Sequence, residues 1–210
     1  MAQWRVLANR WQNNSMLLGA MLASFVALKV YFHGTYNTGS VDIATDMVFA
    51  LMGLFLFWDR IQIKWTWRHL GWVSIGFCAL AGWGFYQATV RGFTWLPFDY
   101  ATLEKQLQLL VLYPLIEEIC YRFTLLWLLI RLVRSPQLAV ILSCVIFGLA
   151  SSWESSYVPS SMQSFLYFKW FTLAAVSYWW GYRYMKTKSL LVPIGLHFFF
   201  KVGFFLGLLQ

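Results

Sequence analysis

The sequence predicts an all-α, polytopic membrane protein, a bundle of about seven transmembrane helices. Of its 210 residues, 60% are hydrophobic and 11% are charged, whereas soluble domains are typically about 45 to 50% apolar and about 25% charged. So few charges could not cover a water-soluble surface without leaving large apolar patches. The apolar residues also fall into seven runs of a length suited to helices that cross a bilayer.

The seven predicted spans follow one another along the whole chain. The first follows two arginines and has no small-x-small cleavage site after it, which favours an uncleaved helix over a signal peptide. The fifth is short for a full crossing at about 1.5 Å per residue. The spans are Ser15 to Phe32, Val41 to Trp58, Leu70 to Val90, Leu107 to Ile130, Gln137 to Trp153, Ser164 to Tyr182 and Ser189 to Leu209.

The basic residues between the spans predict the orientation of the bundle. Lys and Arg are concentrated before the first span and after the second, fourth and sixth spans, and cytoplasmic loops are the ones enriched in these residues. The N-terminus is therefore predicted to be cytoplasmic. The net charge of +8 is spread between apolar runs without a binding motif, so we expect no nucleic acid partner. No polar segment is long enough for an extramembrane domain, and residues 1–210 are predicted to form one integral membrane domain.

The sequence gives no sign of a metal or another cofactor. Cys78, Cys120 and Cys144 are odd in number and lie inside apolar runs, which favours buried free thiols over disulfides or zinc ligands. A single histidine beside two glutamates, an arginine and a lysine is a poor cation site, because the positive groups compete with the ion.

The fourth span contains three ionisable residues, which is unusual because each costs at least about 2.5 to 3.5 kcal/mol to insert. Glu118 and Arg122 are four residues apart and share a helix face, while Glu117 is turned about 100° away. A salt bridge between Glu118 and Arg122 could be purely structural, but it does not explain Glu117. An unpaired carboxylate in a low-dielectric site is suited to act as a general base. Pro114 removes a helical hydrogen bond one turn earlier and is expected to open the backbone there.

The last span adds His197 and Lys201, which also share a face. Counting about 1.5 Å per residue from the cytoplasmic boundary puts these two residues about 12 and 18 Å deep. The same count puts Arg122 and the two glutamates about 13 to 21 Å deep. The fourth and seventh spans are therefore predicted to build one polar cluster near the middle of the membrane.

These residues resemble the three motifs of the CAAX protease and bacteriocin-processing (CPBP, Abi-type) family, which comprises glutamic intramembrane endopeptidases. The motifs are Glu117-Glu118-x-x-x-Arg122, Phe147 with Ser151 four residues later, and His197 with Lys201 four residues later. The resemblance covers residues 107–209, whereas residues 1–100 contribute nothing specific to it.

The resemblance implies a role for each site residue. Glu117 would activate water, with Glu118 and Arg122 shaping the site and His197 helping to stabilise the oxyanion. The family has His where this chain has Ser151, and Asn or Asp where it has Lys201. Ser151 can hold a water but is no base by itself near neutral pH. Lys201 could pair with Glu117 and weaken it as a base, or could stabilise an oxyanion.

Three functions follow from these residues and stay open at this point. The first is an endopeptidase acting on a membrane-associated or lipid-modified peptide, with activity reduced or lost through Ser151 and Lys201. The second is a non-catalytic scaffold, assembly or immunity-type protein that binds a membrane protein partner. The third is a transporter using Asp42 and Asp46 with the carboxylate pair. It is the least favoured, because no row of charged residues connects those sites. Asp42 and Asp46 are instead predicted to form a solvated interfacial face. The predicted location is the plasma membrane of a bacterium.

Overall fold

The computed structural model describes residues 7–8, 10–35, 39–63, 71–92, 102–152 and 160–209. These residues are almost all helical and include no strand, which confirms the predicted all-α fold. Each predicted span corresponds to one long helix. The helices are α1 (Ser15–Thr35), α2 (Gly39–Leu56), α3 (Trp72–Gly92), α4 (residues 103–133), α5 (Pro136–Ser152), α6 (Ser160–Thr187) and α7 (Leu191–Leu208), with a short 3₁₀ turn at Trp58–Arg60.

The helix ends differ from the predicted spans by a few residues. α4 begins four residues earlier than predicted, because the Thr102 side chain caps its first turn by accepting a hydrogen bond from the Lys105 backbone N–H. α6 likewise begins at Ser160 rather than Ser164 and continues to Thr187. The predicted start of the third span at Leu70 and the predicted end of the fifth at Trp153 lie outside the described residues.

Two helices in the described part of the chain, α3 and α7, are long and apolar enough to cross a membrane. α1, α2 and α5 contain shorter apolar stretches. Large apolar side chains also face outward, and those of Met16, Trp72 and Val73 are more than three-quarters exposed. These features are in line with the predicted all-α membrane protein, since lipid-facing surfaces are apolar.

α3 and α7 pack against each other with almost no side chain between their backbones. A Cβ added at Gly82 would overlap the Phe200 backbone carbonyl, and a Cβ added at Gly203 would overlap the Ala79 backbone. Small residues at such crossings let two helices approach closely, which is a common device between membrane helices. This contact fixes α7, which carries His197, relative to α3.

Gly82→Ala is expected to lower the free energy of unfolding by about 1 to 3 kcal/mol, because the added methyl group must push α3 and α7 apart. Gly84→Ala, two residues along the same helix, meets open space and should be harmless. Unfolding of both variants in detergent micelles checks this. Equal stability of the two variants would contradict the close crossing.

α4 is one continuous helix with two π-helical segments, Gln108–Leu112 and Glu118–Leu125. Pro114 lies between them in the α-helical turn Tyr113–Glu117, so the π segments flank the position where its missing N–H was expected to open the backbone. The Ser143 hydroxyl of α5 donates a hydrogen bond of 2.9 Å to the Tyr121 carbonyl in the second π segment. Such segments occur frequently at functional sites, and this one contains Glu118 and Arg122.

α1 and α2 contact α4 through a second buried charged group. Lys29 of α1 forms an ion pair of 2.8 Å with Asp46 of α2, and Asp46 accepts a hydrogen bond from the Cys120 thiol at 3.5 Å. The prediction that Asp46 forms a solvated interfacial face is therefore wrong: Asp46 is buried because Lys29 neutralises it. The side chain of Asp42 lies outside the described set. Cys78, Cys120 and Cys144 are buried free thiols, as predicted.

Candidate active site

Glu118 and Arg122 form a fully buried ion pair on α4. The Arg122 Nε lies 3.2 Å from the Glu118 Oε2, and both side chains are excluded from the surface. A buried ion pair is stable only when further contacts compensate for the water it has lost. The pair therefore depends on the groups that surround it.

α5 and α6 supply those contacts to Arg122. Its Nη2 donates a hydrogen bond of 2.7 Å to the Ser177 hydroxyl. The guanidinium carbon lies 4.3 Å from the ring centre of Phe147 and 5.3 Å from that of Trp180. A desolvated guanidinium over an aromatic face is attracted by the electrons of the ring. Arg122 is thus held in one orientation, with its Nε toward Glu118.

His197 lies between the two adjacent glutamates. Its Nδ1 is 2.8 Å from the Glu118 Oε1, and its Nε2 is 3.5 Å from the Glu117 Oε2. When Glu118 is ionised its carboxylate only accepts hydrogen bonds, and the donor in this contact is then the Nδ1–H of His197. In the neutral imidazole, the Nε2 lone pair then faces Glu117.

Aromatic rings enclose the rest of His197. The ring of Trp180 is stacked on the imidazole, with centres 4.3 Å apart and planes at 23°, and Phe147 meets it edge-on at 6.2 Å. The imidazole is 1% exposed. A buried, stacked ring that is hydrogen-bonded at Nδ1 has little freedom to turn.

The two glutamates differ in exposure. The side chain of Glu117 is 25% exposed, whereas that of Glu118 is fully buried. Glu117 is thus the carboxylate that a water or a peptide can reach.

The structure brings together four of the predicted site residues, Glu117, Glu118, Arg122 and His197. Lys201 is near enough to interact electrostatically with Glu117 and Lys169. Among the described residues, however, no ion pair joins Lys201 to Glu117; the nearest partner of that carboxylate is His197. The pairing considered for Lys201 is therefore not formed.

Ser151 lies at the last turn of α5 and is half-buried. Within the part of the chain that the structure describes, it makes no hydrogen bond to the site residues. Over the same residues, no three His, Cys, Asp or Glu side chains are grouped so that they could hold a metal ion. Ser177 and Trp180 were not predicted, because neither belongs to a motif and α6 is rich in aromatic residues throughout.

The fold and the cluster together define an all-helical protein whose interior holds a carboxylate pair joined through a histidine. Residues 102–203 match the family model described as "Type II CAAX prenyl endopeptidase Rce1-like". This match spans α4, α5, α6 and most of α7, and therefore every residue of the cluster. Residues 102–203 of this chain are thus similar to the CAAX protease family, which confirms the resemblance. No curated protein and no solved structure matches the chain.

Proposed function

We propose that the protein is an intramembrane endopeptidase that hydrolyses a membrane-associated or lipid-modified peptide. The family match supports an enzyme of this kind. The observation that carries the proposal is that the two carboxylates differ in burial and in their partners. Glu118 is buried and neutralised by Arg122, while Glu117 is accessible and, among the described residues, has its short-range ionic contact with His197.

In the proposed reaction Glu117 is the general base. A water bound at its carboxylate gives up a proton to Glu117 as its oxygen attacks the peptide carbonyl carbon, forming a tetrahedral oxyanion. The carbon–nitrogen bond then breaks, and the leaving amine takes the proton from Glu117. Proton transfer by a positioned carboxylate contributes about 10² to 10⁴ to the rate of such reactions.

His197 assists Glu117 in this scheme. With Glu118 ionised and accepting from Nδ1–H, the Nε2 lone pair can hold the proton that Glu117 takes from water until Glu117 returns it to the leaving amine. The resulting imidazolium would lie between two carboxylates. Arg122 favours the ionised form of Glu118 and fixes its position, so the pair orients His197 without touching the substrate.

Lys201 completes the charge balance of the site. With His197 neutral, the two glutamates are matched by Arg122 and Lys201. Because no ion pair holds Lys201 to Glu117 within the described ranges, its ammonium is available to stabilise an oxyanion. In this respect Lys201 takes the place that the family gives to Asn or Asp.

Lys201→Met is expected to lower kcat by about 100-fold, the usual loss for one oxyanion donor. Lys201→Asn should retain more activity, since the amide can still donate a hydrogen bond. Steady-state kinetics of both variants in lipid vesicles checks this. A Lys201→Met variant faster than the wild type would instead mean that Lys201 suppresses Glu117.

A second candidate function is a non-catalytic protein that binds a membrane partner. The observation in its favour is that Ser151 replaces the family's histidine and makes no hydrogen bond to the site in the described part of the chain. A protein that has lost proteolysis could keep the cluster for structural reasons, because the buried pair still needs its partners.

The experiment that separates the two functions is cleavage of a peptide library by the wild-type protein in vesicles. The library should contain peptides with a prenylated C-terminal Cys-a-a-X sequence, the same peptides without the lipid, and unrelated membrane-spanning peptides. Mass spectrometry identifies products. The proposed enzyme cleaves at least one class, and the lipid-free set shows whether the lipid is required.

Absence of cleavage across the library, together with a membrane protein that co-purifies equally with the wild type and with Glu117→Gln, would favour the second candidate. We further propose that the N-terminus is cytoplasmic, on the distribution of the basic residues, and that the membrane is a bacterial plasma membrane, as expected in the sequence analysis.

A further inference from the structure

We infer that Ser177 and Trp180 of α6 are positioning residues, which hold Arg122 and His197 in the geometry that the proposed reaction needs. This inference rests on the proposed function. The two residues are three positions apart on one helix and therefore share a face. Neither lies in the three motifs that identify the site.

The first observation is the stacking of Trp180 on His197. The indole is fully buried, with ring centres 4.3 Å apart and planes at 23° to the imidazole. The hydrogen bond from Nδ1 to Glu118 is one restraint on rotation of the imidazole about its Cβ–Cγ bond. The indole plane blocks this rotation and keeps Nε2 3.5 Å from Glu117.

The second observation is that the same helix face holds Arg122. Ser177 accepts a hydrogen bond of 2.7 Å from the Arg122 Nη2, and the Trp180 ring lies 5.3 Å from the guanidinium carbon. Glu118 is thus fixed from both sides by groups that α6 supports: Arg122 at Oε2 and His197 at Oε1.

The rest of the Trp180 environment makes it rigid. Its ring meets Phe147 of α5 at 6.4 Å and Phe200 of α7 at 5.8 Å, both nearly edge-on. The indole is therefore fixed by α5, by α7 and by its own helix α6. It in turn restricts the imidazole of His197. A support built this way keeps a reacting group within a fraction of an ångström, and a displacement of about 1 Å can cost about 100-fold in rate.

The test compares Trp180→Leu with Trp180→Phe. Leucine removes the stacked ring, whereas phenylalanine keeps a ring at the same place. Tyr184→Leu is the matched control, because Tyr184 is an equally buried aromatic residue one turn further along α6 whose hydroxyl accepts a hydrogen bond from Trp127 instead. All three variants lose buried aromatic area. The two leucine variants have no ring at the substituted position, whereas Trp180→Phe keeps one.

If Trp180 positions His197, Trp180→Leu should lower kcat by about 10- to 100-fold and leave KM unchanged. Trp180→Phe should recover most of kcat, and Tyr184→Leu should keep the wild-type value. Ser177→Ala should lower kcat less, because Arg122 keeps its aromatic contacts. Equal kcat in Trp180→Leu and Tyr184→Leu would overturn the inference.

A second measurement judges the inference without any cleavage. The chain has three histidines, so the ring proton signals of His197 in ¹³C-histidine-labelled protein are identified by their loss in His197→Gln. A stacked indole shifts these signals upfield. We expect Trp180→Leu to abolish that shift and Trp180→Phe to preserve part of it.

The two measurements separate the possible failures. If the wild type cleaves no peptide, the proposed function fails and the imidazole signals alone decide the positioning. An unchanged His197 signal in Trp180→Leu overturns the inference even if the enzyme is active.

Discussion

Glu117→Gln is expected to abolish peptide cleavage, with kcat lowered by about 10² to 10⁴-fold. The amide has nearly the shape of the carboxylate but cannot take a proton from water. Glu117 is the carboxylate that solvent can reach, and its contact with His197 is a long 3.5 Å. The substitution should therefore leave the fold intact.

The control for this variant is Glu104→Gln. Glu104 belongs to the same helix but lies at its exposed start, where its carboxylate accepts a hydrogen bond from the Gln108 side chain. Cleavage rates and helical circular dichroism are measured for both variants. Wild-type rates in Glu117→Gln would rule out Glu117 as the base, and lost helicity would show that its role is structural.

Arg122→Met is expected to destabilise the protein by about 3 to 5 kcal/mol, because it leaves Glu118 buried without its cation. The methionine fills a similar volume, so the loss reflects charge rather than a cavity. Ser177 also loses its hydrogen-bond donor, and the rings of Phe147 and Trp180 lose the guanidinium between them. Denaturant unfolding in micelles measures the change.

Two further variants show whether charge is the cause. Glu118→Gln combined with Arg122→Met removes both charges and should recover part of the lost stability. Arg122→Lys keeps the charge but cannot reproduce the planar contacts, and should fall between the wild type and Arg122→Met. An Arg122→Met variant as stable as the wild type would mean that Glu118 is neutral or reached by water.

The helical bundle was predictable because hydropathy reports burial in an apolar phase directly. The start of α4 was not, since it depends on the Thr102 cap and not on an apolar residue. Asp46 was wrongly predicted to be solvated because it is charged. Lys29 lies inside the first predicted span, and a lysine there indicates that a buried partner of opposite charge is needed. Intramembrane ionisable residues persist mainly in such pairs.

The candidate site was predictable in part because rare charges in an apolar chain must meet one another. Counting helical rise placed the ionisable residues of the fourth and seventh spans at overlapping depths of about 12 to 21 Å. Depth says nothing about the direction in which a side chain points, so the count suggested Lys201 as a partner of Glu117, where the structure has His197. Ser177 and Trp180 carry no charge and gave no such signal.

The most direct test of the buried cluster is a solid-state NMR distance measurement in lipid vesicles. Protein labelled with ring-¹⁵N histidine and carboxyl-¹³C glutamate should show a measurable ¹³C–¹⁵N dipolar coupling, because the His197 Nδ1 lies 2.8 Å from a Glu118 oxygen, which is bonded to the labelled carbon. The coupling should vanish in His197→Gln, with the signals of the other histidines unaffected. A wild-type spectrum with no short-range coupling between these labels would show that α4 and α7 do not bring their ionisable groups together.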